Sequence, residues 1–178
     1  MTGSGVAEEP SGAPGAPSER SHPGPAPAVR RASILAVAAI VVAVDQASKT
    51  WALHRLSDGR TIHLVWTLRL ALTFNSGAAF GLGRGVTPLL VAAAIVLMVL
   101  LVGLGRDASR RASAVSVLAM GLLLGGAAGN LVDRLVRHHG GAVIDFIDLK
   151  WWPVFNVADA SIVCGALLLL LGARQPNR

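Results

Sequence analysis

The sequence predicts an all-α integral membrane protein with four transmembrane helices, a small extracytoplasmic β-sheet segment and an interfacial loop or helix. Composition is the first reason: of 178 residues, 53% are hydrophobic and 15% are charged, and the mean hydropathy is +0.58. Such a chain is too apolar for an ordinary soluble domain. Length is the second reason, because a helix rising about 1.5 Å per residue needs roughly 20 residues to cross the hydrocarbon core. Four apolar runs have that length, at about 33–54, 87–105, 112–136 and 155–173.

The amino-terminal segment is rich in Gly, Pro, Ala and Ser and holds almost no aliphatic side chains. It cannot bury enough surface to offset chain entropy, so we expect residues 1–29 to form a disordered cytoplasmic tail before a membrane domain at 30–174. Arg30, Arg31 and the apolar residues after them also match the basic and apolar regions of a cleaved secretory signal. No clear small-x-small cleavage site follows, and the helical pattern continues. A first transmembrane helix therefore fits better.

Two segments between the apolar runs are predicted to lie on the outer side of the membrane. The segment 57–85 contains a stretch from Thr61 to Phe74 that alternates imperfectly and is rich in β-forming residues, which predicts a short antiparallel sheet. The segment 137–154 contains Trp151 and Trp152, whose indoles suit the headgroup level. We expect this second segment to lie along the interface as a loop or helix.

Basic residues give the orientation, because lysine and arginine are enriched in cytoplasmic loops. This bias places both termini and the 106–111 turn in the cytoplasm. The net charge of +6 could suggest a nucleic-acid partner, but the arginines flank apolar runs and form no patch interleaved with aromatic residues, so no nucleic acid is expected. On the cytoplasmic side we count Arg20, Arg30, Arg31, Arg106, Arg110, Arg111, Arg174 and Arg178, against Arg55, Arg60, Arg69, Arg84, Arg137 and Lys150 outside.

Polar and ionisable residues gather at the outer ends of the predicted spans, whereas the cytoplasmic ends are almost purely aliphatic. An ionisable group at membrane depth is costly unless it is paired or hydrated, and is therefore a hypothesis about function. Random placement would not put every such residue on one side, so we predict one polar site near the outer leaflet. Its candidate residues are Asp45, Lys49, Asn75, Asn130, Asp133, Arg134, Asp145, Asn156 and Asp159.

Helical spacing does not settle the role of Asp45 in the first span or the partner of Asp133 in the third. Asp45 and Lys49 are four residues apart, so each can neutralise the other, and this pair is as consistent with a structural role as with a functional one. Asp133 follows Asn130 by three residues and could pair with either Arg134 or Arg137.

Asp159, at the start of the fourth span, has two possible roles. Asn156 and Asp159 are three residues apart on a helix, so the amide can lie beside the carboxylate and orient it. The alternative is that Asp159 simply stabilises the helix amino terminus through the macrodipole.

The sequence lacks the motifs that other kinds of catalytic site would need. There is no His-Glu-x-x-His motif, and the adjacent His138 and His139 point apart on a helix or strand, so no metal or other cofactor is expected. There is no Gly-x-Ser-x-Gly motif either. The glycines of 125–129 lack the Lys of a phosphate-binding loop and are typical of close helix packing. A pair of aspartates remains the best candidate for acid–base chemistry.

The motifs around these residues resemble those of the bacterial lipoprotein signal peptidases, or signal peptidase II, which are integral-membrane aspartic proteases. Each motif is weak alone, but five in family order across about 33–173 are specific. They are Asp45-Gln46-Ala47-Ser48-Lys49, Asn75-Ser76-Gly77-Ala78-Ala79-Phe80-Gly81, Gly129-Asn130-Leu131-Val132-Asp133-Arg134, Val143-Ile144-Asp145-Phe146-Ile147-Asp148 and Phe155-Asn156-Val157-Ala158-Asp159.

The resemblance implies an endopeptidase that cleaves prolipoproteins just before a diacylglyceryl-modified cysteine, at the outer face of the bacterial cytoplasmic membrane. It implies that Asp145 and Asp159 are the catalytic dyad and that no metal takes part; Asp148 stays outside the catalytic set. The expected partners are the lipid-modified precursors and membrane lipids, and we expect a monomer. The resemblance assigns substrate-binding or supporting roles to Asp45, Lys49, Asn75, Asn130, Asp133, Arg134 and Asn156.

A small proton-coupled transporter is the alternative function, because it would also carry intramembrane carboxylates. Such a transporter is expected to hold them near the midplane, with access from both sides. The aliphatic cytoplasmic halves of the spans speak against it.

Overall fold

The computed structural model describes residues 27–77, 113–137 and 139–173. Within these ranges the chain forms three helices and three strands. The predicted tail up to residue 26 and the predicted span at 87–105 lie outside them. In chain order the elements are α1 (Pro27–Leu56), β1 (Ile62–Val65), β2 (Leu68–Asn75), α2 (Ala114–Val136), β3 (Val143–Asp148) and α3 (Val157–Ala173).

Three of the four predicted spans correspond to helices of the described chain. Helix α1 begins six residues before the predicted 33–54 and ends two residues after it. Helix α2 begins after Ser113, whose side chain accepts a hydrogen bond from Ser116 N at 3.2 Å, as an N-cap does. By length and composition, α2 is the one described helix that could cross a membrane, with a mean hydropathy of 1.8, and α3 is apolar but shorter.

The helices pack closely because glycines of α2 face backbone of both neighbours. A Cβ on Gly125 would lie 2.8 Å from Ala38 O of α1, and one on Gly126 would lie 2.5 Å from Ala158 O of α3. One turn earlier on α2, a Cβ on Gly121 would meet Val37 of α1, and a Cβ on Gly165 of α3 would meet Ala119 O of α2. Residue numbers on α1 and α2 thus rise together, so the two helices are parallel, and α3 runs antiparallel to α2. The carboxyl ends of α1 and α2 therefore meet the amino end of α3.

The sheet at this end has the order β1-β2-β3, and both pairings are antiparallel. The prediction of a sheet within 57–85 agrees with strands β1 and β2. The interfacial loop or helix predicted at 137–154 is wrong over Val143–Asp148, which pairs with β2 and brings Asp145 opposite Thr73. The β-branched residues of β3 suit a strand, and β2 offers an edge whose partner is remote in sequence.

Apolar packing fixes the sheet against the helix ends. Ala52 and Leu56 of α1 form a buried cluster with Phe146 of β3. An isolated antiparallel bridge between Ile147 and Phe155 then ties β3 to the residues just before α3. The strand that carries Asp145 is consequently held between the end of α1 and the start of α3.

The outward faces of the helices are apolar, whereas acids and a lysine lie inside. Leu35 and Ile40 of α1 are exposed, as are Leu167 and Leu170 of α3. Contiguous exposed apolar surface is unfavourable in water and suits a hydrocarbon surrounding.

Candidate active site

Lys49 is the centre of a buried polar cluster between α1 and α2. Its Nζ lies 2.8 Å from Asp45 Oδ2, 2.8 Å from Asp133 Oδ2 and 3.1 Å from Asn130 Oδ1. The three donors of the ammonium thus meet three acceptors, and the side chains of the lysine and both aspartates are fully buried. Burying these charges is tolerable because they are paired and hydrogen-bonded to one another.

The side chain of Asn130 links this cluster to Asp159. Because an ammonium can only donate, the oxygen of the Asn130 amide must face Lys49, which turns its Nδ2 the other way. That nitrogen donates to Asp159 Oδ1 at 2.7 Å. The orientation of the Asp159 carboxylate is therefore linked to a lysine on α1.

Asn156 contacts both predicted catalytic carboxylates. It caps α3 reciprocally with Asp159: its Oδ1 accepts from Asp159 N at 2.9 Å, while Asp159 Oδ2 accepts from Asn156 N at 3.3 Å. The side-chain nitrogen of Asn156 donates to Asp145 Oδ1 at 2.6 Å and to Asn130 Oδ1 at 3.1 Å. Asp159 thus caps α3 and also has the Asn156 amide beside its carboxylate, so the geometry of both interpretations is present.

Asp145 lies on β3, where its side chain is almost fully enclosed; the residue is 1% exposed. Burial, together with the nearby charge of Asp159, raises the pKa of Asp145 to about 6, against the opposing effect of hydrogen bonds with Asn75 and Asn156. A carboxyl group with this pKa can keep its proton in weakly acidic solution, as a general acid must.

Asp148 points away from that site. It is three residues after Asp145 on the same strand, and an odd spacing places side chains on opposite faces of a sheet. Arg69, its cross-strand partner, approaches Asp148 Oδ2 with Nε at 2.7 Å and Nη2 at 2.6 Å. A hydrogen bond from Lys150 N, together with Arg69, holds the pKa of Asp148 below its usual value. These contacts give Asp148 a structural role.

The two arginines near Asp133 have different surroundings. Asp133 lies 3.4 Å from Arg137 Nε, and its Oδ2 also accepts from Ile144 N of β3 at 3.1 Å. Arg134 instead donates from Nη1 to Asn130 O at 3.3 Å, and its buried Nε has no hydrogen-bond partner among the described residues. Of the two pairings that the sequence left open, the structure has Arg137 beside Asp133. Arg134 is within the electrostatic reach of Asp159, Asp133 and Asp145.

Asn75 ends β2 beside Asp145 and shapes the turn after it. Its Oδ1 accepts from Gly77 N at 2.9 Å, and Gly77 has a positive φ of 84°. The side chain also hydrogen-bonds Asp145. A polar turn thus adjoins Asp145 on the sheet side.

Two cavities open next to the aspartates. One of about 310 Å³ is lined by Asp145 and by residues of β2 and its following turn, including Thr73 and Asn75. The other, of about 420 Å³, is lined by Asp159 and by apolar side chains that include Trp151 and Trp152. Each carboxylate therefore faces space that a ligand could occupy.

All nine residues predicted for the site come together in the described chain, although they belong to five separate elements and the connections next to them. Gln46 was missed as a member: its Nε2 lies 3.0 Å from Gly129 O, 3.0 Å from Asp133 Oδ1 and 3.1 Å from Asp45 Oδ2. The sequence could have indicated Gln46 as a member of the site, because it is a polar residue next to Asp45 in a largely apolar helix. Within the described ranges, no three His, Cys, Asp or Glu residues are grouped as a metal site would need.

Known proteins resemble this chain in sequence and in structure. A family model described as signal peptidase (SPase) II matches residues 37–174. The lipoprotein signal peptidase of Rhodococcus jostii is 42% identical over 159 residues, which cover 87% of this chain and 79% of that protein. The lipoprotein signal peptidase of Mycolicibacterium smegmatis is 41% identical over 171 residues, covering 94% and 70% respectively.

Two solved structures, both described as bacterial membrane enzymes, superpose on most of the chain. The first has a TM-score of 0.71 at 29% identity and covers 83% of this chain and 95% of its own. The second has a TM-score of 0.68 at 26% identity and covers 83% and 94%.

Proposed function

Because the chain belongs to the signal peptidase II family of aspartic proteases, which remove signal peptides from bacterial prolipoproteins, we propose that Asp145 and Asp159 are its catalytic pair. The chain is a membrane endopeptidase of this family. The observation that carries the dyad proposal is the position of Asn156, which donates to Asp145 Oδ1 through its side chain and to Asp159 Oδ2 through its backbone. One residue thus holds both carboxylates in a fixed relation.

The two aspartates of the proposed dyad have different roles because their surroundings differ. Two neighbouring carboxylates resist ionising together, so in the proposed reaction the pair shares one proton. Asp145 is the more deeply buried member, and its pKa is raised to about 6, so it is the member that is protonated in the reactive form of the pair. Asp159 is half-buried and borders the larger cavity, where it can meet water.

The proposed reaction adds water across the scissile amide. The carboxylate of Asp159 accepts a proton from water, and the water oxygen attacks the carbonyl carbon. The carboxyl proton of Asp145 supports the oxyanion that forms, and a proton then passes to the leaving nitrogen as the C–N bond breaks. Arg134 supplies a cation within electrostatic reach of both acids.

The two cavities suggest how the substrate lies. The cavity beside Asp145 is bordered by the end of β2, where Asn75 and backbone groups can hold peptide. The cavity beside Asp159 has tryptophans at its rim and Val163 of α3 in its wall, which suits the acyl chains of a diacylglyceryl cysteine. We propose that the cleaved bond lies between them, just before that cysteine.

The fold is consistent with four spans and with an active site at the outer leaflet. Parallel α1 and α2 require the chain to return to the far end of the bundle before α2 begins, and the apolar run at 87–105 has the length for this. The arginine bias places both termini in the cytoplasm. We propose a monomer, because one chain brings all nine site residues together.

The test is cleavage of a diacylglyceryl-modified prolipoprotein by membranes that contain each variant, followed by gel electrophoresis. Asp145→Asn and Asp159→Asn should each abolish the conversion of precursor to mature lipoprotein while the variant remains in the membrane. Asp148→Asn is the matched control, since it changes the same group on the other face of β3, and it should keep most activity. Normal cleavage by either dyad variant, or complete loss with Asp148→Asn, contradicts the assignment.

A further inference from the structure

The outer ends of α1 and α2 are joined by three side chains that lie outside the predicted catalytic and supporting set. Arg137 Nε donates to Gln46 Oε1 at 2.9 Å, and its Nη2 donates to Gln46 O at 2.9 Å and to Thr50 Oγ1 at 2.8 Å. We call Gln46, Thr50 and Arg137 the α1–α2 clasp. Its guanidinium makes a forked set of bonds that a lysine could not reproduce.

Arg137 holds the outward end of the Gln46 amide. A guanidinium has donors and no acceptor, so the oxygen of the amide must point at Arg137 and its nitrogen must point inward. Inward, that nitrogen reaches both buried acids, Asp45 and Asp133. Without Arg137 the amide nitrogen would still face the two carboxylates and Gly129 O, but the amide oxygen would lose its donor and the side chain would lose its outer contact.

Arg137 also balances the charge of the cluster. Asp45 and Asp133 bring two negative charges, and Lys49 between them brings only one positive charge. Arg137, 3.4 Å from Asp133, supplies the second. Its side chain is only 16% exposed, so solvent screens this contribution less than it would at a free surface.

Asp133 connects the clasp to the strand of the dyad. Its Oδ1 faces Gln46 and Arg137, and its Oδ2 accepts from the backbone of Ile144, the residue before Asp145. We propose that Arg137 is a positioning residue for peptide cleavage, which fixes β3 through Gln46 and Asp133. This inference rests on the proposed dyad of Asp145 and Asp159.

The experiment measures kcat and KM of the purified full-length enzyme in lipid-containing micelles, with a diacylglyceryl-modified precursor peptide. Arg137→Gln should lower kcat by about 10- to 100-fold with KM nearly unchanged, because small displacements of reacting groups slow chemistry more than binding. Arg137→Lys keeps the charge but loses the fork, so it should recover only part of the rate. Arg55→Gln, which removes an exposed cation from the last turn of α1, is the matched control and should match the wild type.

A double-mutant cycle tests the route through the amide. Gln46→Leu alone should lower kcat, and adding Arg137→Gln should lower it no further than the more severe single change, because both disrupt one connection. Fully additive losses would show that Arg137 does not act through Gln46.

Several results would overturn the inference. A wild-type kcat for Arg137→Gln in folded enzyme removes the positioning role, and a wild-type kcat for Arg137→Lys reduces that role to charge alone. A loss of activity that only follows the fraction of folded protein, measured by thermal unfolding, makes Arg137 merely structural. An error in the proposed dyad would be seen separately, because Asp145→Asn would then still cleave the precursor.

Discussion

Lys49 Nζ lies 3.1 Å from Asn130 Oδ1, and this contact decides what Asn130 offers to Asp159. The amide oxygen is taken by the ammonium, so the amide nitrogen faces the carboxylate and donates at 2.7 Å. A residue on α1 therefore controls the hydrogen bonding of an acid on α3, although neither helix could do this without α2 between them.

Asn130→Asp tests this arrangement with little change in shape. The new carboxylate still accepts from Lys49, but it presents a second oxygen to Asp159 where a donor stood, so two acids repel or must share a proton. We expect kcat to fall on the order of 100-fold, the usual contribution of a positioned acid or base, while folding is retained. The measurement is steady-state cleavage of the lipid-modified precursor. Asp58→Asn, an equally small change in the exposed turn, should leave the rate unaltered, and a similar loss there would point to general damage.

Lys49→Met tests the stability of the buried cluster. Methionine fills similar space but leaves Asp45 and Asp133 buried without their shared cation. Removing one partner of a buried ion pair costs about 3–5 kcal/mol, so the free energy of unfolding in micelles should fall by that order. Lys150→Met removes an exposed cation and is the control. A loss below about 1 kcal/mol for Lys49→Met, typical of a surface pair, would contradict the proposed importance of this cluster.

The raised pKa of Asp145 predicts how stability depends on pH. Folding raises this pKa from 3.8 to about 6, so between these values the folded state binds more protons than the unfolded state, and stability falls as pH rises through this window. At about 1.4 kcal/mol per pH unit, the ionised carboxylate costs about 3 kcal/mol at pH 7. Asp145→Asn should therefore be more stable than the wild type at pH 7 and nearly equal to it at pH 4. Thermal unfolding in micelles across this range measures the difference, and parallel curves would contradict the prediction.

Gly129→Ala tests how tightly the cluster is packed. The added Cβ would lie 2.6 Å from Asp45 Oδ2, which cannot move freely because Lys49, Gln46 and Ala158 N all bond the same carboxylate. Overpacking of this kind costs about 1–3 kcal/mol, so we expect a lower unfolding temperature and reduced activity. Gly172→Ala is the matched control, since it meets nothing within 4 Å on α3 and should be neutral or slightly stabilising. Equal behaviour of the two variants would show that Asp45 can move aside.

Local sequence predicted much of the fold because apolar length and helix spacing are local properties. The ranges of α1, α2 and α3 follow from runs of apolar residues, and capping residues stand at the starts of α2 and α3. Strand β3 was not predicted, because whether Val143–Asp148 forms a strand depends on the edge of β2, about 70 residues earlier. Pairing over such a distance leaves no periodic signal in either segment.

The sequence by itself determined which chemistry this protein carries and at which end of its helices the polar residues gather. It did so because charges at membrane depth are too costly to occur without a partner or a role, and because five motifs stand in the order of one family. Tertiary structure alone decided the pairings: Asp133 forms ion pairs with Lys49 and Arg137, and Gln46 joins the site. These choices depend on how parallel and antiparallel helices align, which brings together side chains more than 80 residues apart.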